Sequence, residues 1–366
     1  MQYLFFERRL KESPMIRKTL LLRGIAALLL LSGNYSLAQS NENNADSAQH
    51  YFQKALAEKE KGRKMEVLKH LEKANQFSND DLQITAELAA AYHDLRKYDK
   101  ALLAYKKLDE AGAATAPVYA QLLDLSFNMR RFDDVITYAG KLKALDKSAS
   151  VSYYLGKVHY QQENYGEAIK QLAIASKEDP ANAEVPYLVA RSYADMMNYK
   201  QSIPYFQKAI ELAPEKNNWI YELGLICYAM NDNKNALRYI KEAGDKGYKK
   251  DNDYLQNLAI AYLNTGKLDD GVSILTELLK KRPSDMNILN MVAEAYYYKG
   301  KYQQAIDYWD QILVYDKQNA EALYMIGMSY QKKGEKEKGI HLCDKAIEMD
   351  PSLASLKQKK MTIGGL

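Results

Sequence analysis

Apolar residues along this chain recur at helical spacing, and the helical pattern itself recurs. Pro180 and Pro214 close the similar segments KEDP and ELAP and stand 34 residues apart. Laid out at that period, residues 48–353 divide into nine segments: 48–81, 82–115, 116–148, 149–182, 183–216, 217–251, 252–285, 286–319 and 320–353. Within a segment, apolar residues at positions 4, 7, 8 and 11 share one helix face, and those at 20, 24 and 27 share another. Each segment therefore predicts two helices and a turn.

The columns say how the two helices meet. Position 8 reads Ala55, Ala89, Leu123, Gly156, Ala190, Gly224, Ala259, Ala293 and Gly327. Position 20 reads Val67, Ala101, Val135, Ala168, Ser202, Ala236, Gly271, Ala305 and Gly339. Small residues in both columns predict a close antiparallel approach. Position 24 is bulky instead, with Leu71, Tyr105, Leu172, Phe206, Ile240, Leu275 and Trp309. Gly62, Gly266, Gly300 and Gly334 at position 15 supply the left-handed backbone that ends a helix. Proline at position 32 (Pro180, Pro214, Pro351) stops the second helix.

These columns resemble the tetratricopeptide repeat (TPR) family over residues 48–353. The segment 320–353 matches best, through Leu323, Ile326, Gly327, Tyr330, Gly339, Ala346 and Pro351. The segment 48–81 departs most, with Lys54 and Glu58 where apolar residues are expected, as in a capping repeat. The resemblance implies an all-α superhelical solenoid of about nine helix-turn-helix repeats. Residues 354–366 are expected to begin a capping helix.

The N-terminus reads as an address. From Met15, which is also a plausible true start, Arg17, Lys18 and Arg23 form a basic region and Gly24 to Leu31 an apolar one. Ser36-Leu37-Ala38 has small residues where a signal peptidase reads. Residues 1–38 thus resemble a bacterial secretory signal peptide, cleaved between Ala38 and Gln39. The apolar run is too short to span a bilayer of ~30 Å, so no transmembrane span is expected in the mature chain. Residues 39–47 (QSNENNADS) read as a flexible linker. The expected location is periplasmic or secreted.

Charge then changes meaning. The whole chain carries +4, but removing the six basic and two acidic groups of residues 1–38 leaves 45 of each sign. A neutral mature chain argues against binding nucleic-acid phosphates. No catalytic constellation is visible either. His50, His70, His93, His159 and His341 include no pair four residues apart, so the zinc-protease pattern is absent. His159 occupies a packed position 11. Cys227 and Cys343 occupy core positions three repeats apart, too far for a disulfide. No cofactor and no metal are implied, and an enzyme is the least favoured reading.

The chain's 30 tyrosines are its most distinctive feature. In TPR proteins, positions 2, 5, 9, 12 and 13 face a concave groove. The resemblance therefore implies a partner-binding face at Tyr153, Tyr187, Tyr221 and Tyr324 (position 5), Lys157 and Arg191 (position 9), and Tyr160, Tyr228 and Tyr297 (position 12). Tyr153, Tyr187 and Tyr221 are expected to form a ladder that grips an extended or helical protein segment. Tyrosine offers a large face and a polar tip. Because position 5 is nowhere lysine, the carboxylate clamp for chaperone tails is not expected. The reading is a protein-binding scaffold, with envelope glycan as the alternative ligand.

Overall fold

The computed structural model describes residues 44–358. Among them, eighteen α-helices follow one another without a strand. The first, α1, runs over residues 44–60, followed by α2 (Lys64–Phe77), α3 (Leu82–Asp94), α4 (Tyr98–Glu110), α5 (Ala116–Asn128) and α6 (Phe132–Leu145). Next come α7 (Ser152–Gln161), α8 (Tyr165–Glu178), α9 (Glu184–Asp195), α10 (Tyr199–Leu212), α11 (Asn217–Ala229) and α12 (Asn233–Asp245). The last six are α13 (Asn252–Asn264), α14 (Leu268–Lys281), α15 (Met286–Tyr298), α16 (Tyr302–Tyr315), α17 (Ala320–Lys333) and α18 (Lys336–Met349). Each 34-residue repeat contributes one helix pair. The chain forms two compact bodies, one through Tyr154 and one from Leu155.

The small columns do what their size allows. All nine residues at position 8 and all nine at position 20 are buried. A Cβ placed on Gly156 would sit 2.7 Å from Leu172, one on Gly224 2.8 Å from Ile240, and one on Gly327 2.7 Å from the Cys343 sulfur. In each case the neighbour is position 24 of the same repeat. Ser202 replaces the usual alanine at position 20 and donates its hydroxyl to the Ala190 carbonyl at 2.7 Å, so its burial leaves no orphaned group. Position 24 fills the space beside this contact, and Phe206, Leu275 and Trp309 are wholly buried.

The turns are more uniform than the glycine column predicts. Position 15 has a positive φ in all nine repeats, including Arg96, Arg130, Glu163, Met197 and Asn231 at +57 to +61°. A non-glycine residue there costs about 1–2 kcal/mol. A recurring bond holds it: the position 16 N–H donates to the position 11 carbonyl, as from Lys97 to Tyr92 at 2.8 Å and from Asp232 to Cys227 at 2.9 Å. This six-to-one bond satisfies a carbonyl that the helix end leaves open. Helices α8, α10 and α18 each end two residues before Pro180, Pro214 and Pro351.

Two expectations about the ends need correction. The segment 39–47 is not all linker, because α1 already includes residues 44–47 and buries Ala48. Asp46 belongs to a first turn, where the helix dipole favours a carboxylate. The capping segment is 3-10 rather than α over its described part: Pro351–Gln358 forms a 3-10 helix that buries Leu353. The signal-peptide assignment, residues 39–43 and residues 359–366 lie outside the described residues.

The helix contact makes a paired prediction. Gly327→Ala should destabilise the C-terminal body by about 1–3 kcal/mol, since backbone as well as sulfur blocks the new methyl. Gly140→Ala in α6 has open space around it and should stabilise by about 0.5–1 kcal/mol. Urea unfolding of the two variants checks the opposite signs.

Candidate interaction face

Position 5 is where the structure departs most from the ladder. Tyr187 on α9 stacks on Trp219 of α11, with ring centroids 4.4 Å apart and planes 12° from parallel. It also meets Phe206 edge-on. Its hydroxyl donates to the Glu222 carboxylate at 3.1 Å. One repeat on, Tyr221 is buried, stacks on Tyr248 at 4.3 Å, and accepts from the Asn257 amide at 2.7 Å. In both repeats the bonding partner is position 6 of the following first helix. These tyrosines are therefore stitches between consecutive helix pairs, and Tyr221 offers no free ring face.

Tyr324 is a second correction. It is only 1% exposed, among the apolar side chains around Trp309 and Cys343. Its hydroxyl is buried without a hydrogen-bond partner. Tyr153 in the N-terminal body is half-buried against Tyr154, with ring centroids 5.9 Å apart. Tyr187 and Tyr221 thus pack toward the next first helix, whereas Tyr324, in the last repeat, is buried without one.

Position 12 follows a different rule. Tyr160 meets Tyr165 at 5.8 Å, and Tyr297 meets Tyr302 at 5.5 Å. His93 meets Tyr98 in the same way at 5.7 Å. In all three, the second ring is position 17, the first residue of the second helix. The sixth repeat breaks the pairing because its position 17 is Asn233. Tyr228 is then left 40% exposed, beside the chain position of Met230, which is exposed to the same degree. Met196 holds the equivalent place at the end of α9 and is also exposed. The missing partner was readable from the two columns, but the pairing that gives it meaning was not.

A charged network crosses the same helices. The Lys157 ammonium on α7 lies 2.9 Å from Glu184, and Tyr160 donates to Asp195 at 2.8 Å. Arg191 reaches Glu222 at 3.3 Å and Asp195 at 3.8 Å. Burial pushes the Glu222 carboxyl up, against the pull of Arg191 and the Tyr187 hydroxyl. Burial and the Asp195 carboxylate push Tyr160 well above the ordinary phenol range. The face is thus a half-buried ionic seam across α7, α9 and α11.

Among the described residues, no group of His, Cys, Asp and Glu is arranged to hold a metal ion. No described helix is long and apolar enough to cross a membrane. Cys227 and Cys343 are buried and neither forms a disulfide; burial pushes the Cys227 thiol up to about 11. His159 is half-buried with its Nδ1 lacking a partner, in keeping with a packed role.

The seam predicts a pH-dependent lesion. Arg191→Leu removes the cation that opposes Glu222 desolvation, and should cost about 1–3 kcal/mol at neutral pH. A raised folded-state carboxyl favours the protonated form, so the deficit should vanish below the ordinary carboxylate range near 4.5. Urea unfolding of wild type and variant at both pH values checks it. An equal deficit at both would mean that Arg191 acts through packing.

The comparisons with known proteins bear on the fold. A tetratricopeptide-repeat family model matches residues 187–247 and 290–354, and a second matches 253–285. A model described as anaphase-promoting complex, cyclosome, subunit 3 matches residues 128–209. No curated protein matches the chain significantly. Similar solved structures include YrrB, titled a TPR protein with an unusual peptide-binding site. It is 19% identical and covers 51% of this chain and 97% of its own, with a TM-score of 0.42. PilF of Pseudomonas aeruginosa is 18% identical over 59% of this chain and 99% of its own, with a TM-score of 0.39. The C-terminal part of a TPR repeat-containing protein from Cytophaga hutchinsonii is 17% identical over 75% and 99%, with a TM-score of 0.44. The family-model matches fall on the helix pairs described above. The chain is an all-α tetratricopeptide-repeat solenoid, a fold that is generally non-enzymatic and points to a protein–protein interaction scaffold.

Proposed function

We propose that the chain is an exported scaffold that holds a protein partner against the ends of α9 and α11. The observation that carries this reading is the exposure of Tyr228, whose ring lacks the position 17 partner that covers Tyr160 and Tyr297. The exposed Tyr228 ring, with exposed Met230 two residues on and exposed Met196 at the equivalent position of the preceding repeat, gives apolar area that buries on contact. The Arg191, Asp195 and Glu222 network beside it supplies fixed polar groups. Aromatic anchors next to ordered charge are the usual composition of a binding hot spot. The occupant is a peptide or helical segment of another protein, whose own apolar side chains meet Tyr228 and the thioethers.

Export is the second part of the proposal and rests on residues 1–38. Mature chain recovered from the cell envelope should begin at Gln39. A chain that keeps Met1 or Met15 would place the scaffold elsewhere.

The binding reading is tested by photo-crosslinking in the native cell, from a probe at Tyr228 and a control probe at the exposed Lys170 of α8. A protein adduct from Tyr228 alone is expected. Adducts from both sites, or polysaccharide captured from Tyr228 without protein, would overturn a protein-binding face, the second outcome in favour of a glycan ligand.

A further inference from the structure

A separate cleft of about 890 Å³ opens between α12 and the turn that joins α13 to α14. Its rim is cationic: Lys234, Arg238 and Lys241 come from α12 and Lys267 from the turn. It lies wholly in the C-terminal body, and of the groove columns it uses only position 13, at Asn264.

Three features of α12 make little sense for stability alone. Lys234, Arg238 and Lys241 fall at i, i+4 and i+7, a single stripe where like charges repel. Lys234 lies in the first helical turn, where the helix dipole disfavours a cation, and that turn holds no acidic residue beyond the Asp232 cap. Two of the carboxylates of this region, Glu242 and Asp232, are occupied otherwise. Glu242 pairs with Lys246, and Asp232 caps the helix by accepting from Asn235. None of the four rim cations forms an ion pair with a described residue. Two are nonetheless oriented, with Arg238 at 4.1 Å over the Tyr239 ring and Lys267 at 5.9 Å over Tyr262.

From this geometry we infer that the cleft binds an acidic peptide segment of a protein partner. Unneutralised cations around a concave surface call for carboxylates. Leu237 and Tyr262 in the lining give an apolar side chain somewhere to pack, Asn264 can donate to and accept from a peptide backbone, and the Thr265 hydroxyl, which already donates within α13, can accept. Asp232 and Asp270 also line the cleft. They repel a uniformly charged polyanion, but tolerate a peptide whose acidic residues alternate with apolar ones. The inference adds a second contact to the scaffold reading and does not depend on the face at Tyr228.

The test is fluorescence anisotropy of an end-capped peptide of alternating glutamate and leucine with the mature chain. Binding that weakens steeply between about 50 and 300 mM salt is expected. The triple variant Lys234→Gln, Arg238→Gln, Lys241→Gln should lose about tenfold or more in affinity. A charge-matched control (Lys170→Gln, Lys208→Gln, Lys280→Gln) should stay within about twofold, which excludes a net-charge effect. Tyr228→Ala should leave this affinity unchanged, so that failure at one surface is separable from failure at the other. Absence of binding, equal loss in both triple variants, or equally tight binding of inorganic polyphosphate to the same cleft would overturn the inference.

Discussion

Everything in this molecule hangs on how closely the two helices of a repeat can approach. The contact is between position 8 of the first helix and position 24 of the second. At Gly156, Gly224 and Gly327 there is no room for even a methyl group. Where position 8 is alanine, as at Ala89, Ala190, Ala259 and Ala293, the residue is entirely buried. That approach sets the helix-pair geometry, and the geometry in turn sets the turn. Five non-glycine residues accept a left-handed backbone at position 15 because the recurring six-to-one bond and the packed pair leave them no alternative. Local preference yields to packing, as it does when one interaction is repeated nine times over.

Once the pairs are fixed, the tyrosines divide by what their neighbours offer. At position 5 they are used between repeats, through stacking on Trp219 or Tyr248 and bonds to Glu222 or Asn257. At position 12 they are used within repeats, against the ring at position 17. The two proposed contacts are the exceptions. Tyr228 is one, because Asn233 cannot cover it. The cationic stripe of α12 is another, because its cations form no ion pair with a described residue. Both breaks in the repeat fall in the same segment, 217–251.

The fold was legible because its determinants are columns. Small residues at positions 8 and 20, glycine at 15 and proline at 32 recur in register, and each has one physical meaning. The candidate face was legible only in part. Tyr160, Tyr187, Arg191 and Tyr228 do cluster on neighbouring first helices, but groove exposure was inferred from position alone. Exposure depends on the next repeat. Tyr221 is covered by Tyr248, which lies in the irregular link after α12, in the one repeat that is a residue longer than the period. No periodic argument places such a residue. Tyr324 is buried in the last core cluster, which also holds Trp309 and Cys343. The ends failed for another reason: polar residues such as Asp46 suit a linker and a first helical turn equally.

The division of the tyrosines is the central claim, and ring accessibility tests it most directly. Limited nitration of the folded mature chain, mapped by mass spectrometry, reports each ring separately. Tyr228 should be modified early, together with the exposed Tyr315, while Tyr221 and Tyr324 stay protected until the chain unfolds. Modification of Tyr221 and Tyr324 at the rate of Tyr228 would contradict the account, and would restore an open tyrosine ladder in place of a stitched one.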